Sequence, residues 1–334
     1  MLYAAIDIHK SVLQVALLEP ATGEVSDARM PATREALRGW ALPLRESVVA
    51  VALEATSGWR WVWRELSVLG FEVQLAEPAQ ARALRGRKRK AKNDRLDARW
   101  LALLLAKQML PQSWIPPEEI QRLRDLTRLR QALRHDRTRW LQRLHAVLAH
   151  EGWPCGRGEL ASASGQRWLA GLKLDPHVRA LVDAQLAMVR ASAEQINAID
   201  VELRRLARSD RRLLALQTLP GVGPVLACHL LAELGEARRF RRARQLVRAA
   251  GLDPVVHDSA ETKRRGKLSK QGSPQLRWAL VQAAHGAARR AGSDEQRRQR
   301  ALTPRIGSQR AALTNARAIA RHAYHVLAAA ETAA

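Results

Sequence analysis

LYAAIDIHKSVLQVALL, residues 2–18, is the stretch from which the fold is read. Leu2–Ile8 and Val12–Leu18 are apolar, β-branched-rich runs parted by His9, Lys10 and Ser11. They predict two strands joined by a short turn. Gly23 marks a second turn, before a third short strand near Glu24–Met30. Thr33–Leu42 predicts a helix stopped by Pro43. VVAVAL, residues 48–53, is continuously apolar, the pattern of a strand covered on both faces. Trp59–Leu69 reads as a helix ended by Gly70, and Phe71–Ala76 as a further strand. Three strands in succession, then helix, strand, helix, strand, predict a ribonuclease-H-like α/β sheet rather than a doubly wound one.

Downstream the pattern turns helical. Seven of the eleven residues Arg82–Lys92 are basic, which predicts a solvated loop, and Asp94 opens a helix behind it. Pro111 and Pro116-Pro117 mark a boundary. Glu118–His150 and Val178–Leu206 carry apolar residues at helical three-and-four spacing, broken between them by Gly152, Pro154, Gly156 and Gly158. The pair reads as an antiparallel arm or coiled-coil dimer element, or as plain helical packing. LPGVGPVLA, residues 219–227, lies between two helical patterns. A basic loop, a long helix from Pro274 to about Ala291 and an alanine-rich helical tail from Ala311 follow. The expected organisation is an α/β domain over 1–110, a helical, coiled-coil middle over 111–208 and a mainly α domain over 209–334.

Composition narrows the function. The 334 residues carry 56 basic and 32 acidic side chains, a net charge of +24. Of the basic residues 47 are arginine, the side chain suited to gripping phosphate with two donors. Such a surplus points to a polyanion partner. Hydrophobic residues make up 47% of the chain, enough for real cores. No run approaches the ~20 apolar residues of a membrane span. The N-terminus shows no leader pattern, so a cytoplasmic, nucleoid-associated protein is expected. Two cysteines, Cys155 and Cys228, make neither a disulfide framework nor a zinc set.

Four acids stand where strand and helix ends should converge. Asp7 is near the end of the first strand, Glu54 follows VVAVAL, and Asp94 and Asp97 open a helix on one face. Carboxylates so placed suit hard divalent cations, Mg²⁺ or Mn²⁺, and two such ions can clamp a phosphodiester during displacement. Taken singly, Asp94 is equally an N-cap and Glu54 a rim carboxylate.

AIDIHK, ALEATSGW and KNDRLDA resemble the three signatures of the DEDD transposases. These are insertion-sequence recombinases related to pilin-gene invertases, with an N-terminal domain similar to the RuvC junction resolvase. The resemblance places the family's acidic tetrad on Asp7, Glu54, Asp94 and Asp97. It extends to the C-terminal domain through AGLDPVVHDSAETKRRGKLSKQGSPQLRWALVQAA, residues 250–284. It implies a serine nucleophile that joins covalently to DNA. Ser259 occupies the matching position, with Ala260 where the family usually has Gly; Ser269 in KLSKQG is the other hydroxyl. Serine needs activation, and His257 and Asp258 are its sequence neighbours.

Nucleic-acid contacts are expected from Arg87, Lys88, Arg89 and Lys90, from the helix-hairpin-helix-like glycines Gly221 and Gly223, and from Lys263, Arg264, Arg265, Lys267, Lys270 and Arg277. The resemblance further implies donor and target DNA, a structured noncoding guide RNA and a homo-oligomer, dimer or tetramer. The competing reading is a RuvC-like, metal-dependent junction-resolving nuclease without a serine intermediate. A tyrosine recombinase is disfavoured, because Tyr3 begins the first strand and Tyr324 lies in the tail. A histidine-pair nuclease is disfavoured because no His-x-His pair exists.

Overall fold

The computed structural model describes residues 1–86, 94–156, 159–259 and 262–332. The chain divides into two compact units, Met1–Ile115 and Pro116–Ala334.

In the first unit β1 (Leu2–Ile8), β2 (Val12–Glu19), β3 (Glu24–Pro31), β4 (Val48–Glu54) and β5 (Val73–Ala76) form one sheet in the order β3-β2-β1-β4-β5. The pairs β1/β2 and β2/β3 are antiparallel; β1/β4 and β4/β5 are parallel. The central strands are buried on both faces, which is why they read as unbroken apolar runs. Edge strand β3 alternates between exposed and half-buried residues and carries the polar ones.

Side chains alternate across a strand, and this divides the core in two. Ala4, Ile6, Ile8, Val51 and Leu53 pack in one cluster with Leu37 of α1 (Arg34–Ala41) and Val62 and Leu66 of α2 (Trp59–Val68). Buried Glu65 of α2 accepts from Arg34 and Arg38 of α1, each at 2.7 Å, and ties these helices together. The short α3 (Pro78–Ala83) follows β5. On the other face Ala5, Ala16, Ala50 and Ala52 meet Ala98, Leu101, Ala102 and Leu105 of α4 (Asp94–Ala106). Facing alanines let α4 lie close to the sheet. By the same alternation Asp7 and Glu54 project from the face that α4 covers.

The second unit is mainly helical. The 33-residue α5 (Glu118–His150) is followed by α6 (Ala163–Gly171) and the 34-residue α7 (Pro176–Ser209). Leu144 and Leu148 late in α5 share a cluster with Val178, Val182 and Leu186 early in α7. Arg130, earlier in α5, hydrogen-bonds Asp200, later in α7. The two therefore run antiparallel within one chain. Their buried positions include Thr127, Gln131, Ser192 and Asp200, so the contact is not a purely apolar heptad seam.

Then come α8 (Arg211–Gln217), α9 (Pro224–Leu234), α10 (Ala243–Ala249), β6 (Pro254–Ser259), β7 (Thr262–Leu268), α11 (Pro274–Arg289), α12 (Asp294–Ile306) and α13 (Ser308–Thr332). Helix α9 is buried along Ala227–Leu234 and is the centre of this unit. Glu233, at its end, accepts from Arg128 of α5 at 2.9 and 3.2 Å and from the Ser273 hydroxyl at 2.7 Å. Ser273 caps α11 by accepting from Leu276 N–H. One carboxylate thus joins three helices.

The basic stretch expected as a loop is, as far as Leu268, strand β7 of an antiparallel hairpin. Asp258 pairs with Lys263 and His257 with Arg264. Because polar and charged residues pair across it, apolar periodicity gives no sign of this hairpin. No helix among the described residues is long and apolar enough to cross a membrane.

Candidate metal centre

Ile6 of β1 pairs with Leu53 of β4, and one step further along both parallel strands come Asp7 and Glu54. Both are at C-terminal strand ends, where open α/β sheets place their ligand sites. Helix α4 brings Asp94 and Asp97 in its first turn. All four acids line one cleft of about 300 Å³.

Two elements hold α4 in place. Asp27 of β3 accepts from Arg99 Nε at 2.9 Å and also pairs with Arg95. The Arg99 hydrogen bond and its neighbours hold the Asp27 carboxyl below the ordinary carboxylate range. Arg85 pairs with Asp97, donates to the Leu96 carbonyl at 2.6 Å and lies 5.7 Å from the Trp100 ring centroid. Trp100 Nε1 donates to the Ala81 carbonyl at 2.9 Å. A guanidinium is thereby fixed at the cleft wall, with Arg82 also lining it.

His9 Nε2 is 3.2 Å from Asp7 Oδ2 and 3.2 Å from Asp94 Oδ2. One ligand atom from each of Asp7, His9 and Asp94 lies within 4.8 Å of the other two. His9 stands in the first quoted motif, but its own pattern, a polar residue in a strand turn, gives no sign of a site. Arg85 and Asp27 are likewise invisible until the chain is folded.

Electrostatics test whether a cation fits. Burial pushes the Asp7 carboxyl above the ordinary range; His9 opposes this and Asp94 and Asp97 add to it. Burial also raises Glu54, with Asp7 and Asp97 adding and Arg82 opposing. Among the described residues no lysine or arginine forms an ion pair with Asp7, Glu54 or Asp94, whereas Asp97 is met by Arg85. Crowded, partly desolvated oxygen ligands with surplus negative charge are the donor set of a hard divalent cation. The residues fit such an ion.

The other expected contacts fall elsewhere. Arg87, Lys88, Arg89 and Lys90 lie outside the described residues. Lys263, Arg264, Arg265 and Lys267 are in β7, and Ser259 ends β6, paired with Thr262. Ser269 donates its hydroxyl to Asp253 Oδ1 at 2.5 Å, and its N–H to the Asp253 carbonyl at 2.9 Å. Lys270 adopts φ +52° beside Gly251. Arg277 Nη1 donates to the Ala250 carbonyl at 3.0 Å, bracing this turn from within the protein.

Gly223 is the N-cap of α9, and a Cβ there would meet nothing within 4 Å. Gly221 is different. It has φ +75°, and a Cβ would fall 2.3 Å from both the Ala283 carbonyl oxygen and the Ala287 nitrogen of α11. The side on which a Cβ would stand faces α11. Gly221→Ala is expected to cost roughly 2–4 kcal/mol from backbone strain plus overpacking. Thermal unfolding checks this, with Gly223→Ala, which meets no clash and loses only N-cap preference, as the milder comparison.

Two family models match the chain. One, described as a transposase of the DEDD type, covers residues 4–151; the other, the transposase IS116/IS110/IS902 family, covers 214–300. A putative transposase of Sinorhizobium fredii is 30% identical over 249 residues, 67% of this chain and 62% of that protein. The chain thus aligns with under two thirds of that relative's length. The transposase for insertion sequence element IS1328 of Yersinia enterocolitica is 28% identical, covering 70% of this chain and 69% of that one. That for element IS1111A of Coxiella burnetii is 25% identical, covering 79% and 73%.

Proposed function

We propose, from the premise that the chain belongs to the IS110/IS116-type family of DEDD transposases, that it cuts and rejoins DNA as the transposase of an insertion element. The observation that carries the reading is the acid cleft: Asp7, Glu54, Asp94 and Asp97 in one pocket, with His9 bridging two of them. Asp7, Glu54 and Asp94 would hold a divalent cation, Mg²⁺ or Mn²⁺, with Asp97 and His9 beside them. When bound, it supplies charge stabilisation to a phosphodiester under attack. Arg82 and Arg85 add fixed positive charge at the same wall, suited to the phosphate oxygens.

The finer part of the proposal is a serine step. The Ser259 hydroxyl gives up its proton as its oxygen bonds to the scissile phosphorus. The bridging DNA oxygen departs and takes up a proton as a free hydroxyl. One phosphodiester is exchanged for another, so rejoining needs no outside energy. The resemblance of residues 250–284 to the family's C-terminal signature supports this reading, and so does the position of Ser259 at the end of β6, paired with Thr262 of β7. A guide RNA and a dimer or tetramer complete it, supported by the same resemblance and by the +24 charge. The second reading, a metal-dependent nuclease that uses water and forms no serine link, is favoured by one observation: the acid cleft is built entirely within the first unit.

The metal is tested first. Mn²⁺ titration followed by the spectrum of the free ion should show binding to the wild-type protein. Glu54→Gln is expected to weaken it by ~10-fold or more, a loss that even outer partners of metal ligands produce. Equal affinity in the variant would remove Glu54 from the site.

A further inference from the structure

Helix α5 carries more cations than its surroundings match. Arg130, Arg134 and Arg137 are spaced four and three residues apart, so they line one stripe of the helix. The acceptor at this stripe is Asp200 of α7, itself buried. Arg130 occupies it with two hydrogen bonds, one at 3.1 Å, and Arg204 stands 3.8 Å away. Asp200 is thus fully engaged by two arginines. The exposed guanidinium of Arg134 makes no hydrogen bond or ion pair with the described residues, and the enclosed Nε of Arg137 donates to none of them. Burial, followed by the charge of Arg130, lowers the Arg134 pKa; Asp200 opposes this and Arg137 adds to it.

Near the stripe lies His229 of α9, 3% exposed, its Nε2 also without a hydrogen-bond partner among the described residues. Its ring meets Trp278 of α11 edge-on, with centroids 5.1 Å apart. Folded proteins seldom leave an enclosed donor such as the Arg137 Nε unmet, and phosphate oxygens are strong acceptors for guanidinium groups. Single carboxylates are already scarce here, and the chain as a whole is +24. A repeating line of charge on a rigid helix calls for a repeating line of phosphates.

We propose that Arg134 and Arg137, with Arg130 and Arg204 beside them, form a docking surface for the phosphate backbone of duplex DNA. The assignment of DNA rests on the transposase reading above; the location rests on the unmatched arginines. The surface lies wholly in the second unit, on the antiparallel α5–α7 pair where it packs on α9.

The test is a salt series of duplex-DNA binding, followed by anisotropy of a labelled duplex, on the full-length chain. Each phosphate contact contributes about 0.9 to the log–log salt slope. R134Q/R137Q should make the slope shallower by about 1.8. R134K/R137K should restore it, since charge without the guanidinium fork still meets phosphate. The glutamine pair should not lower the unfolding temperature, because neither guanidinium forms an ion pair with a carboxylate among the described residues. An unchanged slope, or a lysine pair as impaired as the glutamine pair, overturns the proposal while leaving the transposase reading standing. A slope that changes only on a labelled duplex RNA overturns the choice of DNA. A wild-type protein that binds no duplex DNA overturns both the proposal and the reading it rests on.

Discussion

Asp7→Asn is expected to abolish DNA strand cleavage while making the metal-free protein more resistant to unfolding. The two effects have one cause. Asp7 is a buried carboxylate held near Asp94 and Asp97, and burial first, then those neighbours, raise its pKa despite His9. A raised folded pKa means that the ionised form is disfavoured in the folded state. The stabilising contribution is present in full at low pH and is lost as pH rises through the raised folded value. At neutral pH the charge therefore opposes folding, and asparagine removes it at nearly constant shape. Melting of the metal-free wild type should show stability gained as pH falls toward the acid range, from Asp7 and from Glu54, which is raised for the same leading reason. The variant should show less of that gain.

Activity moves the other way. Charge stabilisation by a bound divalent ion contributes several kcal/mol to phosphodiester displacement, so losing a central ligand should cost ~10³-fold or more in rate. Asp97→Ala should also abolish strand exchange in a folded protein, and it additionally releases Arg85 from its carboxylate. Wild-type cleavage by either variant, or a less stable Asp7→Asn protein in chelator, would break the account.

The first unit was legible because its physics is local. Leu2–Ile8 and Val48–Glu54 are strands whose burial on both faces writes itself as unbroken apolar sequence. The acids at their ends followed from element ends alone. That Asp7 and Glu54 share the α4 face depends on their strands being parallel neighbours, which spacing along the chain does not carry. His9, Arg85 and Asp27 act through partners 12 to 85 positions away or across a turn, so no linear pattern marks them. In the second unit the lengths of α5 and α7 were visible in leucine spacing. The polar residues between them were not, because Arg130 and Asp200 look like ordinary surface residues until α7 folds back on α5. The β6–β7 pair is not legible for a different reason: Thr262–Leu268, TKRRGKL, has no alternation of apolar residues to read. Gly221 reads as a phosphate-binding glycine, and its close packing on α11 makes the same demand on backbone as a ligand does.

Ser259→Ala should eliminate a covalent protein–DNA adduct and recombination with it, while leaving duplex affinity nearly unchanged. One neutral hydroxyl adds little to a binding energy dominated by phosphate charge. The rival hydroxyl is Ser269, and its surroundings assign it other work. Its Oγ donates to Asp253 at 2.5 Å, and its N–H closes the base of the hairpin on the Asp253 carbonyl. Next to it, Lys270 at φ +52° packs on Gly251, whose added Cβ would fall 2.8 Å from the Lys270 carbonyl carbon. A side chain fastened into so tight a clasp is suited to holding the hairpin. Ser269→Ala should therefore lower stability by about 1 kcal/mol, the loss of one hydrogen bond to a charged acceptor offset in part by water, and keep the adduct. A hydroxyl bonded to a carboxylate is also how an activated nucleophile is arranged, so the two variants must be compared directly. Trapping the reaction in denaturant and digesting the adduct for mass spectrometry decides it. A DNA-linked peptide bearing Ser259 meets the expectation. One bearing Ser269 transfers the role to the Ser269–Asp253 pair. Recombination with no adduct at all would return the chain to the metal-and-water reading, in which the acid cleft acts without a serine.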